Sequence, residues 1–164
     1  MKLVFSIKRL AHAAGGAEKV FCTICSNLAD LGHEVIVITY DREESKAYYP
    51  LSNKVNWICL DIGEVDRPAR FFETLMRIKK LREVLRNYQP DVIVGFMHSI
   101  YIPLSVSALG LSIPIVGSEH ITIDHYHTRP FQFLLLLCCA PLLSKITVLS
   151  DNILSHYPRI LRKR

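Results

Sequence analysis

The stretch "HAAGGAEKVF", His12–Phe21, sets two adjacent glycines between an apolar run and the first residues of a helical pattern. Upstream, "KLVFSI", Lys2–Ile7, is short and almost continuously apolar, which is how a strand buried on both faces reads. Downstream, Val20, Ile24, Leu28 and Leu31 recur at helical spacing, and Gly32 stands just past them as a stop. Strand, glycine turn and helix in that order open a βαβ unit, and the alternation continues along the chain.

Further strands are predicted at "HEVIVITY" (33–40), "VNWICL" (55–60), "DVIVGF" (91–96), "IPIVGSEH" (113–120) and "KITVLS" (145–150). Between them, "ARFFETLMRIKKLREVLRNY" (69–88) carries Phe71, Leu75, Ile78, Leu81, Leu85 and Tyr88 on one helical stripe. Shorter helices are predicted at "IPLSVSALG" (102–110), "FQFLLLLCCAPLL" (131–143) and "DNILSHYP" (151–158), and Arg42–Asn53 reads as a polar, mobile loop. Strands that are apolar throughout and alternate with helices require cover on both faces. The expected fold is α/β: one domain over residues 1–164 with a doubly wound, mainly parallel, Rossmann-like sheet.

Half of the residues are hydrophobic, and 20 Lys and Arg against 15 Asp and Glu leave a net charge of +5. Much of the excess lies between Arg67 and Arg86 and in the closing "RILRKR". This balance suits an anionic partner, a membrane surface or a phosphate group. Nucleic acid is not expected, because no Arg-rich tract or interleaved basic and aromatic face occurs. The five cysteines, Cys22, Cys25, Cys59, Cys138 and Cys139, are an odd set in apolar surroundings. They read as buried thiols of a reducing compartment, so a cytoplasmic location is expected. "MKLVFSIKRL" lacks the long apolar region and cleavage site of a secretory signal. "FLLLLCCAPLL", Phe133–Leu143, falls short of the about 20 residues that cross a bilayer, and reads as a buried or interfacial helix.

In a doubly wound sheet the turn from first strand to first helix is a phosphate site. Gly15 and Gly16 lie there, where missing Cβ atoms let backbone approach a ligand and the helix start offers free N–H groups. The competing reading is a tight turn and nothing more. No G-x-G-x-x-G or Gly-Lys-Ser/Thr motif accompanies the glycines, so neither a dinucleotide fingerprint nor a Walker A loop is present. Asp41 ends the second strand where a ribose-binding acid would stand, but carries little weight without the glycine pattern.

Taken together, "GGAEKV" (15–20), "LADLGHEVIVIT" (28–39), "QPDVIVGF" (89–96), "IPIVGSEH" (113–120) and "KITVLSDNI" (145–153) follow one another as in a known family. The chain resembles, over nearly its whole length, the amino-terminal domain of family-4 retaining glycosyltransferases of GT-B fold. It is most similar to bacterial members that build capsule, lipopolysaccharide or lipid-linked oligosaccharide.

The resemblance implies that Gly15 and Gly16 line a cleft between two Rossmann-like domains, near the donor diphosphate and the acceptor. It implies that His120 contacts the sugar being transferred. An imidazole at the end of a central strand can donate a hydrogen bond toward a hydroxyl or toward charge developing in an oxocarbenium-like transition state. Glu119 is expected to orient His120 or an acceptor hydroxyl, and His98 and Ser99 to make acceptor-side contacts from the loop after the fourth strand. The implied partners are a nucleotide-sugar, which is substrate and not cofactor, and a polyprenyl-phosphate-linked or saccharide acceptor. No cofactor or metal is implied, and the H-x4-H-x-H spacing of His120, His125 and His127 matches no common zinc pattern. Cys22-Thr-Ile-Cys25 has C-x-x-C spacing but falls inside a helix, on its buried side, and reads as core.

On the long helix, Lys79, Arg82 and Arg86 fall within about 60° of one another, a strip suited to phosphate or anionic lipid, against the plainer reading of a solvated face. With the Phe131–Leu143 segment, this strip is expected to dock peripherally at the inner face of the cytoplasmic membrane. A complete GT-B enzyme carries a second, donor-binding domain with an E-x7-E motif, and neither occurs here. The chain is therefore expected to be an inactive half of an enzyme. The alternatives are a noncatalytic module working with a separate donor-domain chain, or another nucleotide-dependent Rossmann enzyme, which the missing G-x-G-x-x-G disfavours.

Overall fold

In the computed structural model, which describes residues 1–163, six strands form one parallel sheet in the order β3-β2-β1-β4-β5-β6. The strands are β1 (Lys2–Ser6), β2 (Glu34–Thr39), β3 (Asn56–Cys59), β4 (Val92–Phe96), β5 (Ile115–Ser118) and β6 (Lys145–Thr147). The helices are α1 (Gly16–Asp30), α2 (Phe71–Tyr88), α3 (His98–Ser107), α4 (Asp124–His127), α5 (Pro130–Cys139), α6 (Asp151–His156) and α7 (Arg159–Arg162). The doubly wound, Rossmann-like α/β fold expected from the alternation is the one observed.

Alternate residues of each strand feed two cores, as the pleat requires. Leu3 and Phe5 of β1, with Val35 and Val37 of β2, pack against Phe21, Cys22, Cys25 and Ala29 of α1. Val4, Ile36, Ile38 and Ile93 face the other way, onto Leu81 and Leu85 of α2, Tyr101 and Leu104 of α3, and Leu136 of α5.

Both predicted helix stripes are corrected. In α1 the buried face is rotated by one residue from the expected one, leaving Val20, Ile24 and Leu31 exposed. The reason is Phe21, whose ring meets Phe5 and Phe96 edge-on at 6.1 and 4.9 Å and outweighs the smaller side chains in choosing the face. In α2 only the second half follows the stripe: Leu81 and Leu85 are fully buried, whereas Phe71 is 72% and Leu75 47% exposed. A buried arginine, Arg77, marks the change.

Other boundaries move for local reasons. Pro141 has no N–H to extend α5, so the segment expected to be one helix ends at Cys139 and passes into a single 3-10 turn, Ala140–Leu142. The Arg42–Asn53 loop is not free. Tyr48 N–H donates to the Leu10 carbonyl (2.9 Å), Tyr49 Oη to the Ala14 carbonyl (3.0 Å), and Ser52 N–H to Ser26 Oγ (3.0 Å). Tyr49 and Leu51 anchor it on the α1-side core. Asp41 is buried and accepts from Leu10 N–H (2.7 Å) and Ala11 N–H (3.3 Å), so its carboxylate pins the long turn before the glycines.

Of the cysteines, Cys22, Cys25 and Cys139 are buried, Cys59 is half-buried, and Cys138, against expectation, is exposed on α5. Burial pushes the Cys22 thiol up to about 11 and raises Cys25 further, which keeps this C-x-x-C pair protonated within the core. Among the described residues no helix is long and apolar enough to cross a membrane.

Candidate functional site

The chain order reverses between β1 and β4, which are neighbours in the sheet. Groups at the carboxyl ends of these strands and of β5 therefore share one rim. Gly15 caps α1 in an extended conformation (φ −80°, ψ 161°) without a side-chain cap, and a Cβ placed on Gly16 would meet nothing within 4 Å. Glycine at these positions answers no left-handed backbone. At Gly16 it leaves open space over the first turn of a 15-residue helix.

The Glu18 carboxylate folds back against Gly15, in the space a side chain there would fill. Its field reaches His120, favouring the charged imidazole, while burial, the larger effect, lowers the His120 pKa. A ring stack joins the same two places: Phe21 of α1 packs edge-on to Phe96 of β4, and His120 lies on Phe96 at 4.9 Å and 20° between planes. The glycine turn and His120 thus stand on one edge of the sheet. His120 Nε2 is 3.0 Å from Ser118 Oγ, which also accepts from Thr147 Oγ1 at 3.1 Å.

Glu119 is 1% exposed and organises the loop that carries His120. Its Oε2 accepts from Tyr101 Oη (2.7 Å) and Tyr126 Oη (2.9 Å), and its Oε1 from the N–H groups of His120 (3.0 Å) and Ile121 (3.2 Å). Burial raises the Glu119 pKa, and these four bonds oppose that shift. Glu119 holds the backbone at His120 and Ile121, with both of its oxygens bonded inside the protein.

Tyr101 reaches Glu119 because α3 lies close on the sheet. Gly95 of β4 and Gly117 of β5 are register partners, and a Cβ on Gly95 would stand 2.7 Å from Tyr101 Cβ. A Cβ on Gly117 would stand 3.3 Å from the same ring. Met97, between β4 and α3, holds φ 66° and ψ 150°, a region that favours glycine, while its N–H donates to the Ser118 carbonyl at 2.8 Å. Such a backbone costs about 1–3 kcal/mol and sits here at the carboxyl-end edge of the sheet.

His98 and Ser99 are not in a loop. They open α3, with His98 7% exposed and Ser99 exposed. His98 Nδ1 lies 3.8 Å from Glu119 Oε2 and has no hydrogen-bond partner among the described residues. Burial, then the charges of His125 and Arg129, push the His98 pKa down to about 4.

Of the three cations on α2, Lys79 and Arg86 are exposed, and Arg82 donates from Nη1 to the carbonyls of Ser107 (2.8 Å) and Leu109 (2.7 Å), closing the end of α3. The histidines disperse: His120 on Phe96, His125 against Arg129 Nη1 (2.8 Å), and exposed His127 3.8 Å from Asp124.

Glu18, Tyr101, Tyr126 and the Gly95–Gly117 pair are absent from the sequence reading. The repeated apolar-Gly ending of "VIVGF" and "IPIVGS" is a pattern from which a close helix approach could be read.

A parallel doubly wound sheet with polar groups gathered at its switch point defines a Rossmann-like domain, a fold whose ligands collect at the carboxyl ends of the strands. Residues 14–158 match the Glycosyltransferase Family 4 model, and the chain belongs to that family. A curated relative from Campylobacter jejuni subsp. jejuni serotype O:2 is 28% identical over 99% of this chain and 44% of its own length. It is named GalNAc-alpha-(1->4)-GalNAc-alpha-(1->3)-diNAcBac-PP-undecaprenol alpha-1,4-N-acetyl-D-galactosaminyltransferase. Among solved structures, sucrose-phosphate synthase from Thermosynechococcus elongatus is similar with a TM-score of 0.75 at 13% identity, over 99% of this chain and 46% of that one. UDP-GlcNAc 2-epimerase from Neisseria meningitidis is similar with a TM-score of 0.65 at 16% identity, over 94% and 42%. These structural likenesses concern the fold. The chain spans under half the length of each of these relatives.

Proposed function

We propose that the chain is the acceptor-side half of a retaining glycosyltransferase that moves a sugar from a nucleotide-sugar to a lipid-linked or saccharide acceptor in cell-surface glycan assembly. The observation that carries this reading is the common rim of the Gly15–Gly16 turn and His120 within a family-4 domain. The name of the C. jejuni relative, with its undecaprenol-linked acceptor, supports the acceptor class.

In this reading the open space at Gly16 admits the donor diphosphate to the first turn of α1. The His120 imidazole, neutral at physiological pH because burial lowers its pKa, donates a hydrogen bond to the sugar in transit. An acceptor hydroxyl forms its bond to the anomeric carbon as the bond to the diphosphate breaks, and its proton passes to a diphosphate oxygen. A second, donor-binding domain closes over the rim to exclude water and align the reactants. The reaction takes place in the cytoplasm at the inner membrane face.

The test is sugar transfer from labelled nucleotide-sugars to a polyprenyl-diphosphate-linked saccharide, by the chain alone and with a family-4 donor domain supplied by fusion. No transfer is expected from the chain alone, transfer from the fusion, and at least about tenfold slower turnover for His120→Ala, the scale of losing one transition-state donor. Unchanged turnover in that variant removes His120 from the site, and turnover by the unfused chain overturns the half-enzyme reading.

A further inference from the structure

A cavity of about 330 Å³ opens between α2, α3 and α5, beside the carboxyl ends of β2 and β4. Its walls are mainly apolar, with Ile78, Ile102, Val106 and Leu135 among them, and its size falls at the small end of ligand pockets. Tyr40 Oη, His98 Nδ1 and Gln132 Oε1 are buried polar atoms with no partner among the described residues, and all three residues line this one cavity. Buried polar groups are ordinarily bonded, so these atoms, with the Gln132 side chain beside His98, call for a polar occupant of the space, water or ligand.

Arg77 adds a charge to the same wall. It is 5% exposed, its guanidinium lies 4.1 Å from the centre of the Tyr40 ring, and Nε and Nη2 donate to the Ile62 carbonyl at 3.0 and 2.8 Å. It has no carboxylate partner among the described residues. Glu73, the acid whose field reaches it, is bonded to Arg67. A second cation, Arg129, lies close enough for its charge to be felt at His98. A buried guanidinium without a counter-charge favours an anion, and the surrounding wall favours hydrocarbon.

We propose that this cavity, with Arg77, His98 and Tyr40 in its wall, binds the phosphate-proximal end of an isoprenyl phosphate, the anion toward Arg77 and the first branched units among Ile102, Val106 and Leu135. The inference rests on the acceptor of the proposed reaction being lipid-linked, and it assigns the place where this domain holds the lipid. The cavity opens at the same edge of the sheet, but none of Gly15, Gly16 and His120 lines it. The lining residues Thr74, Gln132 and Leu135 are chain neighbours of the exposed apolar side chains Leu75, Phe131 and Leu134, over which a longer lipid would run in this proposal.

The experiment titrates the 164-residue chain with farnesyl monophosphate below its micelle concentration, with farnesol, and with inorganic phosphate, following heat and the ring resonances of His98. Farnesyl monophosphate is expected to bind at least tenfold more tightly than farnesol and to shift His98, with inorganic phosphate silent at the same concentrations. Val106→Phe, which fills the cavity from the wall without touching Arg77, is expected to weaken binding at least tenfold at unchanged melting temperature. Ile102→Phe serves the same purpose should the first variant fail to fold. Equal binding of farnesol, an equal His98 shift by inorganic phosphate, wild-type affinity in the filled variant, or no binding in any arm each overturns the proposal. None of these arms contains a sugar donor, so their failure beside successful transfer by the fused enzyme would remove the cavity alone and leave the glycosyltransferase reading intact.

Discussion

His98 ties the rim to the interior, and its protonation has a calculable consequence. It faces Glu119 across 3.8 Å, His125 and Arg129 from the following helices, and Gln132 of α5. Its folded pKa of about 4 lies below the ordinary 6.5, so the folded protein takes up the proton later than the unfolded chain as pH falls. Stability from this group is complete above pH 6.5 and is lost as pH drops toward 4, by on the order of 3 kcal/mol. Glu119 acts with the opposite sign: its raised pKa lets acidification restore stability, so the net slope alone does not isolate the histidine. Urea denaturation of wild type and His98→Asn at pH 7 and pH 4.5 separates the two. Wild type is expected to lose about 2 kcal/mol more than the variant over that interval, and coincident losses would refute the assignment. The residue types at 98, 119 and 120 were legible as a group at the strand ends. That Glu119 spends all its bonds internally was not, because Tyr101 and Tyr126 are brought to it only by packing.

Among the elements, two pairs of glycines with different purposes make the clearest contrast. Gly95 and Gly117 let α3 press onto the sheet, so Gly95→Ala drives a methyl into the Tyr101 backbone and side chain, and is expected to cost about 1–3 kcal/mol in chemical denaturation. Gly16→Ala meets empty space within a helix and is expected to be neutral or to stabilise by about 0.5 kcal/mol, while it impairs transfer in the fused enzyme. A destabilised Gly16→Ala, or one with unaltered transfer, would return this position to the plain tight turn. Strand positions were readable because parallel strands buried on both faces leave continuous apolar runs. The face of α1 was not, since Val20 and Phe21 both fit a helical period and only the rings of Phe5 and Phe96 select between them.

For the molecule as a whole, seven of the fifteen large exposed apolar side chains among the described residues lie on two helices: Phe71, Phe72, Leu75 and Met76 on α2, and Phe131, Leu134 and Leu135 on α5. The proposed docking at an anionic bilayer would bring these side chains, on a chain of net charge +5, against the membrane surface. Sedimentation with liposomes is expected to show binding that needs anionic lipid, weakens as salt rises, and falls several-fold in Phe71→Ser/Phe72→Ser. Binding to neutral and anionic liposomes alike, or no effect of the double substitution, would remove this surface as the docking face.

Apart from the short helices α4 and α7 and the start of α3, the sequence by itself determined the order of the six strands and of the longer helices between them, the parallel sheet they must form, and the edge on which Gly15, Gly16 and His120 stand. Each of these follows from local periodicity and from the right-handed crossover that joins parallel strands. Tertiary structure alone decided which side of α1 is buried, that the first half of α2 stays exposed, and that Tyr40, Arg77, His98 and Gln132 surround a single cavity. Those four residues come from distant parts of the chain, Tyr40 and Gln132 being 92 positions apart. Hydrophobic period says that a side chain is buried, whereas what it is buried against depends on the packing of elements that carry no record of one another in the local pattern.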